Sequence, residues 1–362
     1  MTIVSTPSLV ISRAATGTYT PDVLRLEQRP LRALESGELL IEVLHLSLDP
    51  TNRNWLKLDP MNTVREKIGR DLRIGDVMVG EGLGRVLESR DPGFPPGRIV
   101  AGVMEWQEHA IVPGARMRAV DVVEGEPLTA HLTIYSHIGM AAMAGLHAIA
   151  KIEPGETVLV SAAAGATGRL AVGIAAAHGC RVIGIAGGAA KCTEVIGAGA
   201  AVAIDYKAEP DLAAAIRAAA PEGVHVYFDG VGGETLDAAL TAMARRGRIA
   251  VCGVMSDYEA SEDRSGVRNM FLVLIRELRI EGYLAGSYWE QSANYYAQLR
   301  SLLRSGRIHH RVEESPGLSS APDQLAKLFT GAHRGKLVVR VRAVDNESVE
   351  KLSPIETEMY DH

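Results

Sequence analysis

A run of very small residues between a strand-like stretch and a helical pattern is the feature of this sequence that most clearly indicates chemistry. Thr157–Ser161 is strand-like, Ala162–Gly168 follows as a turn of small residues, and Arg169–His178 is helical in character. Small side chains let backbone N–H groups approach a pyrophosphate, and a helix N-terminus adds partial positive charge. Ala163 stands where the first glycine of the dinucleotide fingerprint is expected, but the strand–turn–helix context supports such a site. The predicted contact residues are Gly165, Ala166, Thr167 and Gly168.

The end of the next strand discriminates between the two nicotinamide dinucleotides. An enzyme that uses NAD usually has an acidic residue there, on the ribose hydroxyls. This chain has Ile185-Ala186-Gly187-Gly188 instead, and Lys191 follows shortly. Because a carboxylate would repel a 2′-phosphate and a lysine would pair with it, the sequence predicts NADPH, bound near Gly188 and Lys191. The alternative is that Lys191 is an ordinary solvated surface lysine.

The residues that could bind a metal are too scattered to form a site. The cysteines are Cys180, Cys192 and Cys252, so four clustered cysteines for a structural zinc do not exist, and the N-terminal part offers no cysteine for a catalytic zinc. We interpret His309 and His310 as exposed polar residues. A hydride acceptor would then be activated by hydrogen bonds rather than by a Lewis acid, which favours conjugated enones, enals or quinones over simple alcohols.

The elements that must position these residues change in character along the chain. Residues 1–130 are β-rich, whereas in residues 131–305 alanine-rich helices alternate with short Val/Ile strands, which indicates βαβ units around a parallel sheet. Residues 306–342 become strand-like again and complete the first domain, and residues 343–362 form an acidic tail. The sequence therefore predicts an α/β protein with a doubly wound, parallel-sheet dinucleotide-binding domain and a second, β-rich domain.

Composition and charge restrict the partners. The formal net charge of −6 provides no basic surface for nucleic acid, and 47% hydrophobic with 23% charged residues is ordinary for a globular protein. The sequence shows neither a signal peptide nor an apolar run long enough for a membrane span. The odd, low number of cysteines suits a reducing compartment, so we expect a cytoplasmic protein without membrane partners.

Several separated motifs, spread from about residue 40 to 341, resemble one known family. The chain is similar to the zinc-free leukotriene hydroxydehydrogenase/prostaglandin reductase branch of the medium-chain dehydrogenases/reductases, which includes plant alkenal double-bond reductases and bacterial curcumin reductase. This resemblance implies a GroES-like β-rich domain. The motifs that carry it are Leu46–Pro50, Gly80–Ser89, Val160–Gly168, Gly179–Cys192, Val224–Glu234 and Gly247–Tyr258.

The resemblance implies further cofactor contacts. The residues matching the family's 2′-phosphate ligands are Lys191 and Tyr206. The loop from Cys252 to Tyr258 matches one that lies along the nicotinamide, and Met140 is expected to pack near it or to belong to the core. The additional cofactor-binding positions are Gly230, Cys252, Gly253, Val254, Ser256, Tyr283, Leu284, Ala285 and His333.

The resemblance also suggests two catalytic candidates. Tyr258 matches a tyrosine that hydrogen-bonds the substrate carbonyl or relays a proton, a role that suits a phenol because it donates without carrying charge. The alternative is that Tyr258 only packs against the cofactor. Arg53 matches an arginine that holds the active-site loop or an acidic partner.

Four residues depart from the family pattern. Thr51 follows Asp-Pro where the family often has tyrosine, and Gly230 replaces an asparagine side chain. His333 replaces an asparagine near the nicotinamide ribose, and His147 interrupts a common Gly-Leu-Thr-Ala motif. We interpret these changes as clustered around one site, where they would alter the substrate or its binding mode.

The resulting expectation is an NADPH-dependent reductase of the carbon–carbon double bond of α,β-unsaturated ketones or aldehydes, active without metal. One alternative is an NADPH:quinone reductase, since quinones are similar electron-poor acceptors. Another is a weakly catalytic NADPH-binding protein. The resemblance implies a homodimer, and the apolar Met270–Ile275 segment fits an interface.

Overall fold

The protein is represented by a computed structural model, in which residues 4–59, 64–258 and 267–342 are described. The side chain of Tyr258 and the predicted acidic tail at 343–362 lie outside this part. The strands, in chain order, are β1 (Ser5–Ile11), β2 (Leu24–Pro30), β3 (Glu38–Ser47), β4 (Val79–Ser89), β5 (Ile99–Glu105), β6 (His109–Pro113), β7 (Arg118–Ala119), β8 (Thr157–Val160), β9 (Arg181–Ala186), β10 (Val202–Asp205), β11 (Val224–Asp229), β12 (Met243–Val251), β13 (Arg279–Gly282), β14 (Val312–Pro316) and β15 (Lys336–Arg340).

The helices are mostly concentrated between β7 and β15. A π-helical segment, Ala144–Ile149, directly continues one of them. The α-helices are α1 (Pro50–Trp55), α2 (Val64–Ile68), α3 (His137–Met143), α4 (Ala166–Ala177), α5 (Ala189–Gly197), α6 (Leu212–Ala219), α7 (Gly233–Leu240), α8 (Met255–Tyr258), α9 (Met270–Ile275), α10 (Ser292–Arg304) and α11 (Ala321–Thr330). In the described part of the chain, no helix is long and apolar enough to cross a membrane.

The chain divides into two units whose boundaries differ slightly from the predicted domains. The first unit comprises the described residues up to Leu132, Glu314–Thr330 and the residues from Leu337 on. The second comprises Thr133–Glu313 and Gly331–Lys336. The second unit therefore extends past residue 305, where we expected it to end, and recruits a short segment from the C-terminal region.

The first unit is organised around an antiparallel sheet with the order β14-β15-β3-β4-β5-β7, in which β6 also pairs with β3. Buried and partly exposed residues alternate in the first half of β3, as expected of a strand that packs one face on a core. In β4, a Cβ at Gly82 would lie 2.9 Å from the carbonyl of His45, so that strand can approach β3 only with glycine there.

The second unit contains a parallel sheet with the order β10-β9-β8-β11-β12-β13. The four residues of β8 are all buried, because helices cover a doubly wound sheet on both faces. The strand order reverses between β8 and β11, and in such sheets ligands bind at the carboxyl ends of the strands beside this reversal. The predicted fold class, a doubly wound α/β domain with a separate β-rich domain, is confirmed.

Candidate functional site

The turn after β8 has the geometry that a pyrophosphate requires. Gly165 is the N-cap of α4, and no side chain caps this helix, so its first N–H groups have no side-chain acceptor. A Cβ at Gly168 would overlap the carbonyl group of Ala162, at less than 3.0 Å, so only glycine allows the helix to begin so close to the turn. Ala162 itself has a φ of +47°, a conformation uncommon for alanine. The predicted residues Gly165, Ala166, Thr167 and Gly168 therefore occupy one uncapped helix terminus.

The carboxyl ends of β9 and β10 form the next part of the site. Asp205 ends β10, and its carboxylate accepts hydrogen bonds from the backbone N–H groups of Gly188 (2.7 Å) and Lys207 (3.1 Å). Tyr206 is half exposed, and its ring lies against Gly187, where a Cβ would be 2.8 Å from the ring. The structure thus brings Gly188 and Tyr206 to one edge of the sheet.

Lys191 lies in the first turn of α5, beside these residues. Its pKa is lowered from the usual value, first by partial burial of the ammonium group and then by the positive charge of Lys207. Arg334 lowers it further, while Glu194 and Glu313 oppose the shift. An ammonium group that is repelled by neighbouring cations is a favourable partner for an anion.

Asp229, at the end of β11, connects the loops of the site, and sequence reasoning missed it. One of its carboxylate oxygens accepts hydrogen bonds from Tyr227 Oη (2.7 Å) and Ser161 Oγ (3.1 Å), and from the backbone N–H groups of Val231 and Gly232 (2.9 Å each). Its carbonyl oxygen accepts from Cys252 N at 2.7 Å. The signal in the sequence was an aspartate that ends a buried strand immediately before Gly-Val-Gly-Gly.

The loop after β12 packs directly on the loop after β11. Gly253 N donates to the carbonyl of Asp229 at 3.1 Å, and Ser256 Oγ donates to the carbonyl of Val231 at 2.8 Å. Val254 lies next to Gly232, where a Cβ would be 3.2 Å from its side chain. Gly230 faces the turn after β8 (Ala162–Gly168, the proposed phosphate-binding turn), since a Cβ there would be 3.7 Å from Ala162. Tyr258 is the last residue of α8, the helix that follows this loop.

The strand β13 ends at another part of the same edge. Tyr283 Oη donates to the carbonyl of Ala141 at 2.7 Å, and the tyrosine fits only because Gly145, in the π-helical segment, leaves room for it. Burial raises the pKa of the Cys252 thiol to about 11, and Asp229 adds to this, although a hydrogen bond with Tyr283 opposes it. Leu284, which is 57% exposed, and Ala285 follow Tyr283. Met140 is fully buried in α3, a position that favours the core alternative for this residue.

A segment from the C-terminal region completes the site. Gly335 forms a parallel β-bridge with Gly165, so the chain from Gly331 to Lys336 runs beside the phosphate-binding turn. His333 and Arg334 lie on this segment. The Arg334 Nε atom is 3.7 Å from Oε1 of Glu194. The same oxygen lies 3.1 Å from Arg311, and the other carboxylate oxygen of Glu194 lies 4.0 Å from Arg169. Sequence reasoning did not identify Arg334, because its position depends on a contact between distant parts of the chain.

Two of the predicted residues have settings that differ from the expected ones. Arg53 belongs to the first unit, is buried in α1 and donates to the carbonyl of Gly17. This setting supports a structural role in holding the segment around Gly17. His147 lies against His178, with ring centroids 5.4 Å apart, at the C-terminal end of α4. The length of α4 separates this pair from the turn at Ala162–Gly168, and the grouping of His147 with the other departures stays a prediction.

The structure also corrects the interpretation of His310. His309 is exposed, but His310 is half-buried, and its Nδ1 atom lies 2.9 Å from Thr133 Oγ1. Burial lowers the pKa of His310 to about 4, so its imidazole is neutral near pH 7. Within the described ranges, no group of three or more His, Cys, Asp or Glu side chains could hold a metal ion.

Comparisons with known proteins agree with this geometry. Residues 8–120 match a family model described as the N-terminal domain of oxidoreductase, and residues 166–303 match one described as zinc-binding dehydrogenase. A 2-alkenal reductase (NADP(+)-dependent) from Nicotiana tabacum is 36% identical over 84% of this chain and 88% of its own length. Prostaglandin reductase 1 from Bos taurus is 34% identical over 93% of this chain and 100% of its own.

A bacterial relative and a solved structure extend the similarity. The NADPH-dependent curcumin reductase of Escherichia coli (strain K12) is 33% identical over 93% of this chain and 97% of its own length. The crystal structure of CurA in complex with NADPH from Vibrio vulnificus superposes with a TM-score of 0.85 at 29% identity, over 93% of this chain and 100% of that one. The chain therefore belongs to the medium-chain dehydrogenase/reductase family, in the branch that contains the alkenal, prostaglandin and curcumin reductases.

Proposed function

We propose that this protein uses NADPH to reduce the carbon–carbon double bond of α,β-unsaturated ketones or aldehydes, without a metal ion. The observation that carries the proposal is the edge of the parallel sheet, where an uncapped glycine turn and Lys191 lie at neighbouring strand ends. Relatives over 30% identical across most of the chain are named as reductases of alkenals, prostaglandins and curcumin, and two of the names specify NADP or NADPH.

The residues at this edge fit the parts of the cofactor. The first N–H groups of α4 would bind the pyrophosphate, and Gly168 keeps the turn clear of side chains. Lys191 and Tyr206 would hold the 2′-phosphate. The loops anchored by Asp229, together with Tyr283, would line the nicotinamide. When bound, NADPH would supply the hydride.

The protein's own contribution to the reaction would be orientation and charge stabilisation. Binding the two reactants side by side turns a bimolecular step into an intramolecular one. Tyr258 would donate a hydrogen bond to the carbonyl oxygen of the substrate, where negative charge develops as the β-carbon is reduced. A neutral phenol suits this task because it donates a hydrogen bond without carrying charge.

The deciding experiment is an NADPH-oxidation assay with a panel of enones, enals, quinones and simple ketones. We expect turnover of enones or enals with NADPH, slower turnover with NADH, and no effect of a chelator. Turnover of quinones alone would identify a quinone reductase instead. Binding of NADPH without turnover of any acceptor would favour a weakly catalytic binding protein.

The role of Tyr258 is tested by Tyr258→Phe, which removes only the hydroxyl group. We expect kcat for an enone to fall by about a hundredfold, in the range found when one donor to a developing oxyanion is lost. The Kd for NADPH, from fluorescence titration, should stay within twofold. Unchanged kcat would show that Tyr258 merely packs against the cofactor.

We also propose that the protein is a cytoplasmic homodimer without membrane or nucleic-acid partners. The strand β13 lies at an edge of the parallel sheet, and such edges readily pair with another chain. The neighbouring helix α9 exposes apolar side chains, including Phe271 (68% exposed) and Leu274 (72%). Three free cysteines suit a reducing compartment.

A further inference from the structure

We propose that Arg334, with support from Lys207, adds a second cationic group to the subsite for the 2′-phosphate of the cofactor and makes the site selective for 2′-phosphorylated nucleotides. This inference rests on the proposed use of NADPH and adds a specificity-determining residue to it. Neither residue was among the cofactor contacts that the sequence suggested.

The backbone geometry brings Arg334 close to Lys191, at the corner of the site formed by the start of α5 and the segment Gly331–Lys336. The segment that carries Arg334 is held against the phosphate-binding turn by the bridge between Gly335 and Gly165. At its other end, a Cβ at Gly331 would lie 3.7 Å from Lys191 Nζ. The backbone N–H of Arg334 donates to the carboxylate of Glu313 at 3.0 Å, which fixes the residue within the segment. Arg334 is therefore placed by contacts on both sides.

The guanidinium group of Arg334 remains available for a ligand. Its side chain is 56% exposed, and its contact with Glu194 is 3.7 Å long, too long for a hydrogen bond. Glu194 is closer to Arg311, at 3.1 Å, so its single negative charge is shared. A guanidinium with free N–H groups can bind two phosphate oxygens at once, which an ammonium group does not do.

The charges at this corner do not balance without an anion. The carboxylate of Asp205 is already engaged by the N–H groups of Gly188 and Lys207. The electrostatic repulsion among the cations is evident from the effect of Lys207 and Arg334 on Lys191. A phosphate dianion would relieve this repulsion, whereas the bare ribose hydroxyl of NADH would not. The groups of this corner are the cations Lys191, Lys207, Arg334, Arg311 and Arg169 and the carboxylates Asp205, Glu194 and Glu313.

The test is calorimetric titration of the full-length protein with adenosine 2′,5′-bisphosphate and with 5′-AMP, which differ only in the 2′-phosphate. Arg334→Ala should weaken binding of the bisphosphate by about tenfold, the effect of losing roughly one charge-assisted contact. Its affinity for 5′-AMP should stay within twofold of wild type. Lys207→Ala should give a smaller loss in the same direction, and Arg334→Lys should retain part of the affinity. Arg246→Ala is the matched control, since Arg246 is an exposed arginine that pairs with Glu277 instead.

The outcomes separate this inference from the proposed function. Equal loss of affinity for both nucleotides in Arg334→Ala would mean that Arg334 is merely structural, and no loss would mean that it does not contact the phosphate; either result overturns the inference. If Lys191→Ala still impairs bisphosphate binding in that case, the proposed cofactor stands. If wild-type protein does not prefer the bisphosphate to 5′-AMP, both the inference and the choice of NADPH fail. A steeper salt dependence for wild type than for Arg334→Ala would support the electrostatic contact.

Discussion

Burial determines the protonation of two side chains of this protein, Cys252 and His310. The Cys252 thiol lies beside the proposed nicotinamide site, yet its pKa of about 11 keeps it protonated near neutral pH. A neutral thiol is a poor nucleophile. This matters because α,β-unsaturated carbonyl compounds, the proposed substrates, react readily with thiolates. Burial therefore gives Cys252 a degree of protection against alkylation by the molecules that the enzyme is proposed to reduce.

His310 links burial to the pH dependence of stability. Its pKa falls from an ordinary 6.5 to about 4 in the folded protein, because burial disfavours the imidazolium. Between these values the unfolded chain binds a proton that the folded protein rejects. The contribution of His310 to the free energy of unfolding should therefore be greatest above about pH 6.5 and decline as the pH falls toward 4.

Replacing His310 should flatten this decline. In His310→Gln, the loss of unfolding free energy between pH 6.5 and pH 4, measured by urea denaturation at several pH values, should be smaller than in wild type. His309→Gln serves as the control, because His309 is an exposed neighbour. Parallel pH profiles for wild type and His310→Gln would contradict the assignment.

At the scale of elements, the phosphate-binding turn depends on a close approach of backbone to backbone. A methyl group at Gly168 would overlap the carbonyl group of Ala162. Because both groups belong to the backbone region of the turn, relieving this overlap would displace the start of α4. We therefore expect Gly168→Ala to lower the free energy of unfolding by about 1–3 kcal/mol, the usual cost of overpacking. The Kd for NADPH should rise as well, because the helix terminus would shift.

The neighbouring helix supplies the control for this prediction. Gly197 ends α5 and has open space around its Cβ position, so Gly197→Ala should be neutral or slightly stabilising. Urea denaturation and fluorescence titration with NADPH measure both variants. Equal behaviour of the two alanine variants would show that the turn tolerates a side chain at Gly168.

At the scale of the whole molecule, the proposed dimer has a clear test. Leu274→Glu places a charge on the exposed apolar face of α9 and should convert a dimer into monomers in sedimentation velocity experiments. Ile196→Glu, on an exposed apolar residue of α5, should leave the association state unchanged. A wild-type protein that sediments as a monomer at micromolar concentration would refute the dimer directly.

Much of the nucleotide-binding half could be predicted from the sequence, because its signals are local. The turn at Ala162–Gly168 lies between a strand and a helix that are its immediate neighbours in the chain, and the βαβ alternation is visible in composition alone. Lys191 follows the second strand closely, so its place near Gly188 needs no long-range contact. The fold class and the family followed from the same short motifs.

Other features were decided only by tertiary structure, since they join residues far apart in the chain. Asp229 accepts hydrogen bonds from Ser161 and from the backbone of the loop that follows it. The ring of Tyr283 fits only because Gly145 has no side chain. Arg334 reaches Glu194 only because residues 331–336 return to the second unit. Composition and spacing show which residues a segment contains and how polar and apolar residues alternate along it. They do not report which distant segment packs against it, and burial and charge pairing arise from that packing.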